Sequence, residues 1–370
     1  MKRKILHTLC DCLSLNDDRQ DLTPPRLSEA EWFATIELAN NHLLGPAYYA
    51  SLRRRGWLKY LSEDAQNYLK MLYRMNQRRN LVMRRQAEQA IRALNFSGIV
   101  PTLLKGSVVL FESSGPARYW SLRMMRDLDI LVPRDVAGEA TSALKSLGYQ
   151  IVNKYPDDHH AIGDFGRPTD PGSIDLHAEL IDPWYILPAA EVRDRAMALR
   201  HPDLQALVPS PTYRILHHLL HAQVHHLGQF YLGELKLNQL YEFAVICKHA
   251  GGSIDWQFVS SRLAEYGLKT VLHSYLAAAQ RLFGLSCPPN LVPGFAGWQH
   301  FQRCLLQFDY PRLGRFLTPW GNMRGSLAVH RMRALYGTTR PLPLVRAYHA
   351  WHFWLRHSAN ELLARMFRTE

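Results

Sequence analysis

Asp127 and Asp129 alternate with Leu128 and Ile130 in the run Arg126-Asp127-Leu128-Asp129-Ile130-Leu131-Val132-Pro133. Alternation of this kind predicts a β-strand. Successive side chains of a strand point to opposite faces, so the two carboxylates share a face, about 7 Å apart along the chain. Leu128, Ile130 and Val132 face the other way, into a core. Two neighbouring carboxylates repel unless a cation lies between them. Hard divalent cations prefer oxygen ligands, and Mg2+ is typically held by one or two carboxylates plus substrate phosphates. A third acid, Asp175, lies in the alternating stretch Ser173-Ile174-Asp175-Leu176-His177-Ala178-Glu179-Leu180. That spacing puts Asp175, His177 and Glu179 on one face. An acid opposite the first pair can ligate a second metal and take the proton of an attacking hydroxyl. Upstream, Lys105-Gly106-Ser107 follows the short apolar run Ile99 to Leu104 and precedes a helix read over Val108 to Ser113. Glycine admits a phosphate close to the backbone, a helix start offers unpaired N–H groups, and Lys105 adds a point charge.

Positioning these groups requires a scaffold, and 370 residues suffice for two or three compact units. Residues 1–95 read as helices. Ser28 with Glu31 three residues on forms a capping-box pattern. Ser62 to Leu94 is long and periodic, with an apolar stripe of Leu72, Met75, Val82, Ala87, Ala90, Ile91 and Leu94. Arg74, Arg78, Arg85 and Arg92 line another face of the same helix. Residues 96–205 are mixed: the two acid-bearing strands, a helix from Arg134 to Leu147 and a further strand near Gly148 to Val152. Residues 206–370 return to helices, around Tyr213–Leu227, Leu235–Ala250, Trp256–Tyr266 and Leu268–Phe283. The first of these carries His217, His218, His221, His225 and His226; with no acid among them, they read as helix-packing residues rather than as a metal site. Residues 311–370 hold ten arginines, no lysine and two glutamates, interleaved with aromatics from Trp320 to Trp354 and Phe367. Arginines and aromatics so mixed bind RNA or cover a helical surface with their stems.

Composition sets outer bounds. With 47% hydrophobic residues the chain is globular, and a net charge of +12 favours anionic partners. Five scattered cysteines suit a reducing compartment, and Cys10-Asp11-Cys12 reads as two ordinary thiols in the first helix. The basic start at Met1-Lys2-Arg3-Lys4 is not followed by an uninterrupted apolar run, and no stretch reaches the length of a membrane span. A cytoplasmic protein without a membrane span is the expectation.

Taken together, Gly106-Ser107, the Asp127/Asp129 strand and Asp175 resemble the DNA polymerase β-like nucleotidyltransferase superfamily. More narrowly, the chain is similar to the bacterial group described as uncharacterised nucleotidyltransferase family proteins. The shared marks are Leu104-Lys105-Gly106, Arg123 ahead of the strand Asp127 to Val132, a histidine at 159 or 160, and Ile174-Asp175-Leu176-His177. The resemblance covers residues from about 90 to 285. Arg126 stands where the superfamily usually has glycine, and the gap from Ser107 to Asp127 is longer than the superfamily's but shared by the narrower group.

The resemblance implies an α+β fold: a small mixed β-sheet nucleotidyltransferase core with a helical N-terminal region and an all-helical C-terminal region. It implies Asp127, Asp129 and Asp175 as catalytic acids and ligands of Mg2+, with Mn2+ as the alternative. Lys105, Gly106, Ser107, Arg123 and Arg126 would bind the nucleotide, with His160, His177 and Glu179 around the acids. Arg123 has a second reading, an arginine that pairs with a nearby acid and holds the turn. The implied reaction moves NMP from an NTP such as ATP to an acceptor hydroxyl and releases pyrophosphate. The acceptor is open among RNA, a protein or peptide, a sugar and a small molecule. The basic stripe and Arg324, Arg331, Arg333 and Arg346 lean towards an anionic one. The alternative is a non-catalytic nucleotide- or RNA-binding module on the same fold; a further one is a helical interaction protein with an incidental acid pair. Asp127→Asn and Asp129→Asn are each expected to abolish transfer and, by relieving repulsion, to leave stability equal or higher without metal.

Overall fold

A computed structural model describes residues 2–16, 23–112, 119–225, 228–288, 291–337 and 341–352. Ser113, His226, Trp354 and Phe367 lie outside the described residues. Four helices come first: α1 (Lys2–Cys12), α2 (Glu29–Asn41), α3 (Gly45–Arg54) and α4 (Glu63–Phe96). The Ser28 capping box of α2 is present, with the Glu31 N–H donating to Ser28 Oγ at 3.3 Å and the Ser28 N–H donating to the Glu31 carboxylate at 2.9 Å. The middle of the chain follows as β1 (Thr102–Leu103), α5 (Lys105–Val109), α6 (Tyr119–Leu122), β2 (Asp127–Leu131), α7 (Ala137–Ser146), β3 (Gln150–Lys154), β4 (Ala161–Gly166), β5 (Ser173–His177), α8 (Ala189–Asp194), β6 (Met197–Ala198) and β7 (Leu207–Val208). Then come α9 (Pro211–Gln223), α10 (Gln229–Leu232), α11 (Leu237–Ala250), α12 (Trp256–Glu265), α13 (Lys269–Phe283), α14 (Phe295–Asp309), α15 (Pro311–Ser326) and α16 (Val329–Tyr336).

The seven strands form one mixed sheet in the order β3-β4-β5-β2-β1-β7-β6. β2 pairs with β5 and β1 with β7 in parallel; the other pairings are antiparallel. The two strands that carry the acids are therefore central neighbours, in the register Asp129 opposite Asp175. β4, β6 and β7 carry no clear signal in the sequence. β4 is interrupted by Gly163 and ends on Gly166, and the other two are two residues long. The sheet also ends past residue 205, at β7. The helix after Leu104 begins at Lys105 and stops at Val109, earlier than the sequence suggests.

One face of the sheet buries Leu128, Ile130, Val132, Ile174 and Leu176 against Met83, Ala87, Ile91 and Leu94 of α4 and Ala140 and Leu144 of α7. Each of the larger aliphatic side chains contributes about 1.5–3 kcal/mol of burial. The other core is built jointly by early and late helices: Leu6 and Leu9 of α1 and Tyr48 and Leu52 of α3 belong to one cluster with Leu219 of α9, Phe243 of α11 and Leu276 and Phe283 of α13.

The buried side of α4 departs from the expected stripe. Met75 is 60% and Val82 43% exposed, whereas Asn76, Asn80 and Gln86 are buried. Their amides donate to backbone carbonyls: Asn76 to Ser121 at 2.8 Å, Asn80 to Trp120 at 2.6 Å and to Arg123 at 2.8 Å, and Gln86 to Gly172 at 2.7 Å. A buried amide is tolerated when its hydrogen bonds are made. Here those bonds fasten the loop before β2 and the turn before β5 to α4, and so fix the two acid strands.

Candidate active site

Register places the chemistry. With Leu128 and Ile130 turned into the core beneath, Asp129 points from the opposite face and Asp175 stands beside it on β5. His177, two residues further on, shares that face. Its Nε2 lies 3.2 Å from Asp129 Oδ1 and 3.0 Å from Asp175 Oδ2. Lys105 completes the group, with its Nζ donating to Asp129 Oδ1 at 2.7 Å. Asp129 is 3% exposed and His177 is buried. Burial pushes the Asp129 carboxyl up, but Lys105 and His177 outweigh it and hold Asp129 well below the usual carboxylate range. Burial pulls the His177 imidazole down, and its hydrogen bonds to Asp129 and Asp175 outweigh that, raising it to about 9. Asp127, at the half-exposed outer end of β2, is raised by burial and then by the Asp129 charge.

The other expected residues fall in different places. Arg123 takes its second reading: its Nε donates to Glu242 of α11 at 2.9 Å, so the guanidinium braces the loop before β2. Gly106 sits under that guanidinium. A Cβ at Gly106 would collide with Arg123 Nη1 and come within 2.6 Å of Met125 Sδ. Because Glu242 pins Arg123, Gly106→Ala is expected to destabilise by about 1–3 kcal/mol, read from the midpoint of urea unfolding. Ser107 is not presented to a phosphate. It is fully buried, and its N–H donates to Leu104 O at 2.9 Å. Arg126 is exposed beside the acids. Glu179 leaves the acid face because β5 ends at His177: the N–H groups of Ala178 and Glu179 both donate to His160 O at 2.9 Å. Its carboxylate instead accepts from the Ala189 N–H at the start of α8, at 2.9 Å.

Two groups at the site fall outside the site residues expected from the sequence. Asp164 of β4 lies opposite Asp175 and extends the acid row, held by Asn153 Nδ2 at 2.7 Å and Tyr155 OH at 3.0 Å. The glycines around it hide the strand. Of the histidines read as helix packing, His217, His221 and His225 line the acid site, whereas His218 does pack between helices, its Nε2 2.8 Å from Gln239 O of α11. Ring centroids step from His217 to His221 at 6.1 Å, to His225 at 5.5 Å, to His160 at 4.8 Å and to His177 at 5.8 Å. His217 is buried beside Lys105 and Asp129; burial, then Lys105, pushes its imidazole well below the ordinary value, so it is neutral at pH 7. The i, i+4, i+8 spacing was the available signal. Which strands that face would meet was not.

Asp129, Asp175 and His177 offer donor atoms that lie within 4.8 Å of one another, the one such group among the described residues. Ligand atoms about 2.0–2.2 Å from one ion sit about 3 Å apart when at right angles. The separations of 3.0 and 3.2 Å, hydrogen bonds of His177 Nε2 here, also match that spacing, so an ion would take the place of the Nε2 proton. Asp175 Oδ1 is buried with no hydrogen-bond partner, a vacancy in bonding that a cation or a donor proton would relieve. These residues fit a divalent ion, with His177 inside the set and Asp127 outside it.

The family model described as uncharacterised nucleotidyltransferase matches residues 28–284, more than half of the chain. No curated protein sequence matches. Similar solved structures include the solution structure of the antibiotic-resistance factor ANT(2'')-Ia, 13% identical over 55% of this chain and 97% of that one, with a TM-score of 0.35. The family match carries the assignment: the chain is an α+β enzyme of the nucleotidyltransferase class and belongs to the uncharacterised nucleotidyltransferase family.

Proposed function

We propose that this enzyme transfers a nucleoside monophosphate from an NTP to a hydroxyl of its acceptor and releases pyrophosphate. The observation that carries the reading is the in-register pairing of Asp129 and Asp175 with His177 between their carboxylates. Asp129, Asp175 and His177 would hold one divalent ion, Mg2+ or Mn2+, whose charge offsets that of the triphosphate. Asp127, at the open end of β2, would face the incoming triphosphate and its cation. Asp175 Oδ1 has no partner of its own and would accept the proton of the acceptor hydroxyl. As the acceptor's hydroxyl oxygen bonds to the α-phosphorus, the α-phosphorus–oxygen bond to pyrophosphate breaks, and pyrophosphate leaves with the electron pair. Positioning and charge neutralisation do most of the work in such transfers. The exposed Arg74, Arg78, Arg85 and Arg92 of α4 favour an anionic acceptor. Among the described residues no helix is long and apolar enough to cross a membrane.

Incubating the protein with each α-labelled NTP, a divalent ion and a cell extract tests the reading. Label transferred to a discrete product, with stoichiometric pyrophosphate, supports it; saturable NTP binding without pyrophosphate release would instead favour a non-catalytic nucleotide-binding module. The imidazole in the ligand set sets a metal preference. Nitrogen ligands suit Mn2+ better than Mg2+, whereas all-oxygen sets suit both. Mn2+ is expected to bind more tightly than Mg2+ in competition titrations, and His177→Asp to narrow the gap. Equal affinities in the unaltered protein would remove His177 from the ligand set.

A further inference from the structure

Lys105 reaches the acids by construction of the sheet. β1 pairs antiparallel with β2, Leu103 opposite Ile130, and the Leu104 N–H donates to Asp129 O at 3.1 Å. The next residue therefore starts α5 directly beside Asp129. Lys105 does so with φ +44, the left-handed region that a non-glycine residue enters at a cost. That conformation sets its Nζ at 2.7 Å from Asp129 Oδ1, an oxygen that His177 Nε2 also contacts.

Acid sites that bind two divalent ions hold them about 3.5–4 Å apart between shared carboxylates. Here the shared carboxylate is already bound on one side by an ammonium attached to the chain. The donors left to a free ion are those of Asp175, His177 and the Asp129 carboxylate, the group that fits one ion. The one ion already shares Asp129 Oδ1 with the ammonium, since His177 Nε2 contacts that same oxygen; a second ion bridged through Asp129 would have to displace Lys105.

We propose that Lys105 is the resident second cation of this site, so that the enzyme takes one divalent ion per chain, with the ammonium standing where another nucleotidyltransferase would place a second. The proposal rests on the nucleotidyl-transfer reading and deepens it. Its role differs from a phosphate clamp at a helix start: Lys105 neutralises Asp129 before nucleotide arrives and remains there when it binds.

The test counts metal. The full chain is dialysed to equilibrium against Mn2+ with an α,β-methylene analogue of ATP, which cannot release pyrophosphate, and bound manganese is measured by elemental analysis. One Mn2+ per chain is expected for the unaltered protein, and two for Lys105→Gly. Glycine adopts the left-handed conformation freely, so this substitution relieves backbone strain while removing the ammonium. Two Mn2+ in the unaltered protein would overturn the proposal and leave the transfer reading standing. One Mn2+ in Lys105→Gly would also overturn it, since the ammonium would then not occupy an ion's place. No Mn2+ bound by the unaltered protein would overturn the metal site itself, and both readings with it.

Discussion

Asp129→Asn is expected to lower nucleotidyl transfer by roughly 10²–10³-fold or more and to destabilise the metal-free protein by about 3–5 kcal/mol. Asp127→Asn is expected to lose transfer to a similar degree with stability unchanged or raised. The two residues sit two apart on one strand face, and from the sequence both substitutions read as relieving repulsion. The structure separates them. Asp129 is the buried counter-charge of Lys105 at 2.7 Å and of His177 at 3.2 Å. Asparagine there leaves the Lys105 ammonium without its carboxylate and His177 with Asp175 alone, and removing one partner of a buried pair strands the other. Asp127 has no such partner to strand, and its carboxyl is raised by burial and by Asp129, so neutralising it removes an unfavourable charge. Pyrophosphate release and urea unfolding in EDTA measure the two effects. An Asp129→Asn protein as stable as the unaltered one would show that the Lys105–Asp129–His177 group does not hold the sheet face together.

The second large effect lies at Arg123 and Glu242, whose side chains meet at 2.9 Å and link the loop before β2 to α11. The backbone carbonyl of Arg123 is held separately, by Asn80 at 2.8 Å and Asn76 at 3.2 Å on α4. One residue thus ties α4, the acid strand and α11 together. Arg123→Met or Glu242→Gln is expected to destabilise by about 3–5 kcal/mol, and the double substitution Arg123→Met with Glu242→Leu by much less than the sum. The pair also shapes acid stability. Burial pushes the Glu242 carboxyl up, and Arg123 outweighs it, leaving the group below its ordinary 4.5. A carboxyl depressed by folding contributes stability that is complete above its unfolded value, about 4.5, and is lost as pH falls through the lower folded value. Glu242→Gln should therefore unfold with a flatter acid limb in that window. Additive single substitutions in a double-mutant cycle would show that the two groups do not act as a pair.

Local pattern determined a good deal of this protein. The two-residue alternation of Asp127 to Val132 and of Ser173 to His177 settles which side chains face a core, because that period is a property of the strand alone. Ser28 and Glu31 mark the start of α2 for the same reason: a cap satisfies backbone groups within one turn. Two of the family motifs, Asp127 to Val132 and Ile174 to His177, lie on these stretches, so the nucleotidyltransferase class was legible too. Pattern could not say which side chains meet. His177 enters the acid cluster through the parallel register of β2 and β5, and Glu179 is lost from it where β5 ends. Lys105 meets Asp129 rather than standing free for a phosphate because β1 pairs with β2. Arg123 meets an acid on a helix 119 residues away, and the α9 histidines find acids that their own helix lacks. Asn76, Asn80 and Gln86 stand outside the apolar stripe read for α4, yet carbonyls from distant loops make their burial favourable. Periodicity reports the face a residue occupies; the partner on that face is supplied by another segment, and only tertiary packing brings that segment there.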